Sequence, residues 1–160
     1  VITADHTSEG YYPYYLTNLG QYAVPLLFFL PGGDLKGFSP LTAQQTDIMP
    51  TVLNYMGYDR DYLAFGSDLF DSTAAHFSVR YTNGLYGLVK DGYYYEFNGT
   101  QGTSLFDLSK DKLQRQNVIK TEKEVNARLE QFMKAFIQQY SNRVIENRLI
   151  IDNVEPVSKK

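Results

Sequence analysis

Residues 76–97 read His76-Phe77-Ser78-Val79-Arg80-Tyr81-Thr82-Asn83-Gly84-Leu85-Tyr86-Gly87-Leu88-Val89-Lys90-Asp91-Gly92-Tyr93-Tyr94-Tyr95-Glu96-Phe97. Three runs rich in aromatic and β-branched residues, His76–Tyr81, Leu85–Lys90 and Tyr93–Phe97, are separated by Asn-Gly and Asp-Gly. Both dipeptides tolerate positive φ at two successive positions, which a two-residue hairpin turn requires if its twist is to match that of its strands. The stretch therefore predicts consecutive antiparallel hairpins. A further run, Ser104–Leu108, extends the pattern to a meander of about four strands.

Towards the C-terminus, Thr121-Glu122-Lys123-Glu124 has the spacing of a helix capping box. Val125, Leu129, Phe132, Met133, Phe136, Ile137 and Tyr140 then recur at helical spacing and predict one long amphipathic helix. Residues 73–150 thus read as a small antiparallel sheet with a long C-terminal helix. Residues 151–160 read as a polar tail, loose from Asp152 onward.

The N-terminal part has another texture. Val1–Asp5 reads as a buried strand. Val24-Pro25-Leu26-Leu27-Phe28-Phe29-Leu30 is apolar without alternation and is closed by Pro31-Gly32-Gly33. Such a run suits a strand buried on both faces of a parallel sheet covered by helices. Pro25 belongs near its start or beside an edge, because it cannot donate to a ladder. Residues 8–21, with Tyr11-Tyr12-Pro13-Tyr14-Tyr15, read as a loop. A helix is expected from Asp47 to Met56, with Asp47 as N-cap, Pro50 in the first turn and Gly57 as the stop. Ile48, Met49, Val52, Leu53 and Met56 share its apolar face. Strand, crossover and helix in that order predict an α/β layer over residues 1–72.

Composition narrows the function. A net charge of −3 with no basic cluster leaves no electrostatic footprint for nucleic acid. The absence of cysteine excludes disulfides, thiol catalysis and thiolate metal sites. The longest apolar run is too short to cross a membrane. Fourteen Tyr and ten Phe with no Trp suit half-buried strand positions; a Tyr at a cleft rim also suits sugar or headgroup contact.

Asp5-His6 ends a β-branched run, the way a strand delivers a carboxylate and an imidazole to the carboxyl edge of a sheet. Ser8, Glu9 and Tyr11 follow closely and are candidate substrate contacts. Asp47 with Thr51 looks catalytic, but capping and helix packing account for both. His76 opens a strand and reads as a solvated or satisfied side chain. Asn98-Gly99-Thr100 matches a glycosylation sequon, yet Asn-Gly reads first as a turn.

One ordered series gives Asp5-His6 more weight. It runs Ala4-Asp5-His6-Thr7, Val24 to Gly32, Gln45-Thr46-Asp47-Ile48-Met49-Pro50-Thr51-Val52-Leu53, Gly57-Tyr58-Asp59 and Phe65-Gly66-Ser67-Asp68-Leu69-Phe70, with Leu105-Phe106-Asp107-Leu108 further on. The series resembles the second half of the sulfatase-like branch of the alkaline phosphatase superfamily. It is closest to the lipoteichoic acid synthase type of phosphoglycerol transferase. The resemblance implies an alkaline phosphatase-like sheet sandwiched by helices and a metal-dependent enzyme acting on phosphate or sulfate esters through a covalent intermediate. It makes Asp5 and His6 ligands of one divalent metal, Mn2+ first, with Mg2+, Zn2+ and Ca2+ as alternatives. Asp-His in this place resembles the phosphoglycerol and phosphoethanolamine transferases more than the arylsulfatases. The phosphoethanolamine transferases carry a further His after the pair, and none lies between Thr7 and Val24, which favours phosphoglycerol transfer.

The chain starts in mid-strand, so it is expected to be the C-terminal part of a larger enzyme whose nucleophile lies upstream. That parent is expected on the extracytoplasmic face of a bacterial cytoplasmic membrane, anchored by upstream helices and acting on a phosphoglycerol-lipid or sulfate-ester substrate. The chain itself is expected to be soluble, inactive alone and prone to self-association through exposed core strands. The alternative is an isolated α+β interaction or glycan-binding module without catalysis.

Overall fold

A computed structural model describes residues 1–7, 10–33 and 35–151. The chain is mixed α/β. Strands β1 (Ile2–Thr3) and β2 (Leu26–Leu27) form a short ladder, followed by helix α1 (Ile48–Tyr55). Strands β3 (Phe77–Thr82), β4 (Leu85–Lys90), β5 (Tyr93–Phe97) and β6 (Gly102–Asp107) then form a sheet, and helix α2 (Lys123–Ile145) follows it. The four-stranded sheet is antiparallel in the order β3-β4-β5-β6, as the hairpin signals predict. Asn83 and Gly84 adopt φ of 53° and 82°, and Asp91 and Gly92 adopt 53° and 79°. These paired left-handed residues set the registers Thr82 with Leu85 and Lys90 with Tyr93.

The last strand begins two residues earlier than its apolar pattern suggests. A register shift beside Glu96 and Phe97 leaves Thr103 as an extra residue between the pairs Glu96–Ser104 and Phe97–Gly102. Gly102 is required there, because a Cβ would lie 2.4 Å from the Tyr95 hydroxyl.

Alternation gives the sheet two chemically different faces. Leu88, Tyr95, Phe97 and Leu105 point to one side and close a core with Leu129 and Met133 of α2, all of them buried. Phe77 meets Phe132 edge-on at 4.9 Å between ring centroids, extending this contact along the helix. Each sheet edge is met at one residue by the neighbouring chain. The Gln44 side-chain oxygen accepts the Val79 N–H of β3 at 3.0 Å. On the far side, Val118 N–H donates to the Leu105 carbonyl at 2.8 Å and the Asn117 side-chain oxygen accepts the Leu105 N–H at 3.0 Å.

Four sequence-based expectations need correction. The Thr121 capping box does not form: the Thr121 hydroxyl donates to the Val118 carbonyl, and α2 starts one residue later than that box requires, with Glu122 in the cap position. The backbone of 118–122 is already folded into a turn, with the N–H groups of Thr121 and Glu122 on that same carbonyl. Second, Asp47 does not cap α1 with its side chain. It closes a reciprocal box with Gln44 around the 3-10 turn Gln45–Asp47 that leads into the helix.

The third and fourth corrections concern Val1–Asp5 and Val24–Leu30. They are not strands buried on both faces of a parallel sheet. The ladder is antiparallel, pairs only Ile2 with Leu27 and Thr3 with Leu26, and leaves Ile2 and Leu27 exposed. Pro25 removes a donor at the start of β2, and Pro31-Gly32 turns the chain away soon after. Phe28, Phe29 and Leu30 instead line an apolar groove of about 240 Å³ with Val52, Tyr55, Met56 and Phe70.

Both helices end as their last residues dictate. Gly57 (φ 69°) closes α1 with Tyr58 N–H on the Leu53 carbonyl, and Asn147 (φ 53°) closes α2 with Arg148 N–H on the Arg143 carbonyl. Each is a Schellman stop. Asn98-Gly99-Thr100 is a turn: the Asn98 side-chain oxygen accepts the N–H groups of Thr100 and Gln101, both at 2.9 Å. No helix among the described residues is long and apolar enough to cross a membrane. The tail 152–160 lies outside the described residues.

Truncating Leu129 to Ala should cost about 2–5 kcal/mol of unfolding free energy, read from urea denaturation, because the side chain is completely enclosed. A second measurement follows from Asp107, whose carboxylate accepts the Lys110 ammonium at 2.8 Å and the Ser109 hydroxyl at 2.6 Å. These partners pull its pKa from 3.8 down to about 2. A depressed carboxylate stabilises the fold in full above its unfolded pKa and stops doing so as pH falls through about 2. Asp107→Asn should therefore lower the melting temperature near neutral pH, with the difference closing as the solution is acidified below about pH 2.

Candidate functional site

Asp5 and His6 follow β1 and project into solvent, with side chains 88% and 80% exposed. The Asp5 carboxylate accepts the His6 N–H at 2.9 Å and lies 3.7 Å from His6 Nε2. His6 Nδ1 is 2.8 Å from the Thr7 carbonyl, which can only accept, so the neutral ring carries its proton on Nδ1. Nε2 is thereby left with a free lone pair beside the Asp5 oxygen. This is the usual way a ligating imidazole is oriented. The Thr7 carbonyl, and then the Asp5 charge, raise the His6 pKa above the ordinary imidazole value.

The donor types fit a divalent cation such as Mn2+ or Zn2+. Among the described residues no third His, Asp or Glu joins them to make a group of three. Asp5 and His6 by themselves offer two donors, fewer than the four of a closed tetrahedral site.

Two braces hold the pair. Gln45 Nε2 donates to the Ala4 carbonyl at 2.8 Å, and the Thr7 hydroxyl donates to the Gln21 carbonyl at 2.5 Å. The Thr3 hydroxyl adds a bond to the Pro25 carbonyl at 2.8 Å, tying β1 to the start of β2. Neither Gln45 nor Gln21 stood out in the sequence, since each acts through a bond that only the fold creates.

Behind Gln45 lies a buried polar joint. Asp47, 2% exposed, accepts Gln44 N–H at 2.8 Å and Ser67 N–H at 2.7 Å. Burial raises its pKa against the opposing pull of these donors. Thr51, fully buried, donates to the Asp47 carbonyl at 2.6 Å and accepts Leu69 N–H at 3.0 Å. Gly66 permits this approach, because a Cβ would fall 2.3 Å from the Thr46 carbonyl oxygen. Asp47 and Thr51 are thus occupied in joining α1 to residues 66–69, which matches their structural reading.

A second polar network, built on buried Glu96 and Tyr94, joins the segment before β2 to the outer face of the four-stranded sheet. Glu96, 6% exposed, accepts the Asn18 amide at 2.8 Å and the Tyr94 hydroxyl at 3.0 Å. Arg80 donates to the Tyr94 hydroxyl at 2.6 Å and to the Asn18 carbonyl at 2.9 Å. Its guanidinium also sits 4.2 Å from the Tyr22 ring centroid. Burial, then the Glu96 charge, drive the Tyr94 pKa well above the ordinary phenol value, so Tyr94 stays a neutral donor. Gly87 makes room: a Cβ there would be 3.0 Å from Arg80 Nε and 3.2 Å from the Tyr94 ring.

Of the remaining candidates, Tyr11 is 99% exposed, and Ser8 and Glu9 lie outside the described residues. His76 Nε2 lies 3.1 Å from the Asp71 carbonyl, far along the chain from Asp5 and His6. No family model, curated protein or solved structure matches the chain.

Proposed function

We propose that the chain is part of a sulfatase-like enzyme of the alkaline phosphatase superfamily, closest to a phosphoglycerol transferase of the lipoteichoic acid synthase type. Asp5 and His6 would hold one divalent metal, Mn2+ first, which would activate a hydroxyl nucleophile supplied from upstream and offset charge on the ester oxygens. The substrate would be a phosphoglycerol-lipid or a sulfate ester, reached on the extracytoplasmic face of a bacterial membrane. The 160-residue chain alone would be inactive.

One observation carries this reading: the separate segments of the resemblance are joined to one another by hydrogen bonds around the Asp5-His6 pair. Gln45 reaches Ala4, Thr3 reaches Pro25, Asp47 holds Ser67 and Thr51 holds Leu69. Residues spread over 1–70 are thus tied into one hydrogen-bonded unit that carries an exposed carboxylate and imidazole. In this arrangement Asp5 and His6 bind and orient; Thr7 fixes the tautomer. The apolar groove of Phe28, Phe29, Leu30, Val52, Tyr55 and Met56 is the surface we assign to self-association.

The decisive experiment is Mn2+-dependent ester hydrolysis by the protein extended upstream, with and without Asp5→Ala. Loss of turnover of at least about a hundredfold is expected if a metal ligand is gone; unchanged turnover would remove the metal role. Light scattering of the 160-residue chain should report dimers or larger species that dissociate when Leu27 and Phe29 are changed to Ser. A monomer at high concentration would reject self-association.

A further inference from the structure

We propose that Glu96 and Arg80, on the outer face of the antiparallel sheet, are positioning residues for the Asp5-His6 pair, acting through Asn18 and the segment 17–22. The inference rests on the metal-ligand reading of that pair, and it deepens that reading by giving the C-terminal sheet a part in the site.

Both side chains reach the same residue from the sheet. Glu96 takes the Asn18 amide and Arg80 takes the Asn18 carbonyl. Gln114 adds a third hold, donating to the Thr17 hydroxyl at 2.8 Å. Between these anchors the segment is tightly wound. Thr17 Oγ1 donates to the Tyr14 carbonyl at 2.7 Å and accepts Gly20 N–H at 2.9 Å, while Gln21 N–H donates to the Thr17 carbonyl at 3.2 Å. Gly20 cannot be replaced here, since a Cβ would fall 1.9 Å from the Tyr14 oxygen. A displacement of Asn18 is therefore passed to Gln21, and the Gln21 carbonyl is the acceptor of the Thr7 hydroxyl next to His6.

The chemistry of the anchor also points to a positioning role. Apolar contacts would hold the segment without fixing its register, whereas the buried Glu96 carboxylate and the partly buried Arg80 guanidinium bond Asn18 in one geometry. Burying Glu96 carries a desolvation cost that adds no stability over an apolar equivalent. A buried charge is then best explained by the orientation it enforces. The other brace, Gln45 on Ala4, leads back to the same sheet, because its neighbour Gln44 bonds the Val79 N–H of β3. Both sides of the ligand pair are thus referred to β3 and β5.

The test uses the full chain and three variants: Asn18→Asp, Glu96→Gln and the two combined. The first sets a carboxylate against Glu96. The combination restores one donor and one acceptor with their roles exchanged. Amide 15N order parameters of Asp5, His6 and Thr7 are measured without metal, and Mn2+ affinity is read from paramagnetic broadening of the His6 ring protons. Asn18→Asp should lower the order parameters and weaken Mn2+ binding about tenfold, in the range for loss of a residue that orients a ligand. The double variant should recover both, while the melting temperature of the sheet–helix core stays within a few degrees of the parent in all three. Unchanged order parameters in Asn18→Asp, or no recovery in the double variant, would overturn the positioning role. The metal reading is decided separately, by the Asp5→Ala turnover experiment on the extended protein; without Mn2+ broadening in the unmutated chain, the order parameters still decide whether the sheet positions residues 5–7.

Discussion

The rest of the structure depends on the register of one sheet. Two turns, each with two residues in the left-handed region, make the pairings Thr82–Leu85 and Lys90–Tyr93. Side chains alternate with period two, so these pairings decide which residues share a face. Leu88 falls beside Tyr95 on one side, and Arg80, Gly87 and Glu96 fall in a row on the other. A slip of one residue would send Glu96 and Arg80 under α2 and turn Leu88 and Tyr95 outward. Neither face could then be satisfied.

The two faces are stabilised by different means. The inner face is covered by the apolar stripe of α2 and gains from area removed from water. The outer face is covered by the chain around Asn18, and there hydrogen bonds to buried charges fix position. Gln44 and Asn117 each take one edge N–H, Val79 of β3 and Leu105 of β6, that would otherwise be open to another strand. The candidate site therefore sits on short, weakly paired elements that are braced from a firmer sheet. Residues 1–7 have only the Ile2–Leu27 and Thr3–Leu26 pairings of their own, so their geometry is borrowed.

Much of this could be read from the chain. Asn83-Gly84 and Asp91-Gly92 give the meander, and from their registers one can count Arg80, Gly87 and Glu96 onto one line. A Glu between two aromatics of a central strand signals a buried acceptor in need of donors. What could not be read was the donor, Asn18, because it lies 78 residues away and nothing local distinguishes it. The run Val24–Leu30 misled for a related reason. Apolarity says that a segment is easily desolvated; it does not say which neighbours desolvate it, or whether they run parallel. The Thr121 box failed because a carbonyl at Val118 was the nearer partner for the same hydroxyl.

By itself, then, the sequence determined what local forces control: the two left-handed turns, the helix stop at Gly57, the apolar stripe of α2 and the adjacency of Asp5 and His6. Steric limits on φ and the periods of strand and helix act over a few residues, so they are written in a few residues. Only the tertiary structure decided that Asp47 and Thr51 join α1 to residues 66–69, that Gln21 and Gln45 brace the residues around Asp5 and His6, and that a Glu96–Asn18–Arg80 network stands behind one of those braces. Those are partnerships between distant groups. For the buried Asp47, Thr51 and Glu96 the reason is that a donor or acceptor withdrawn from water must find a partner within reach.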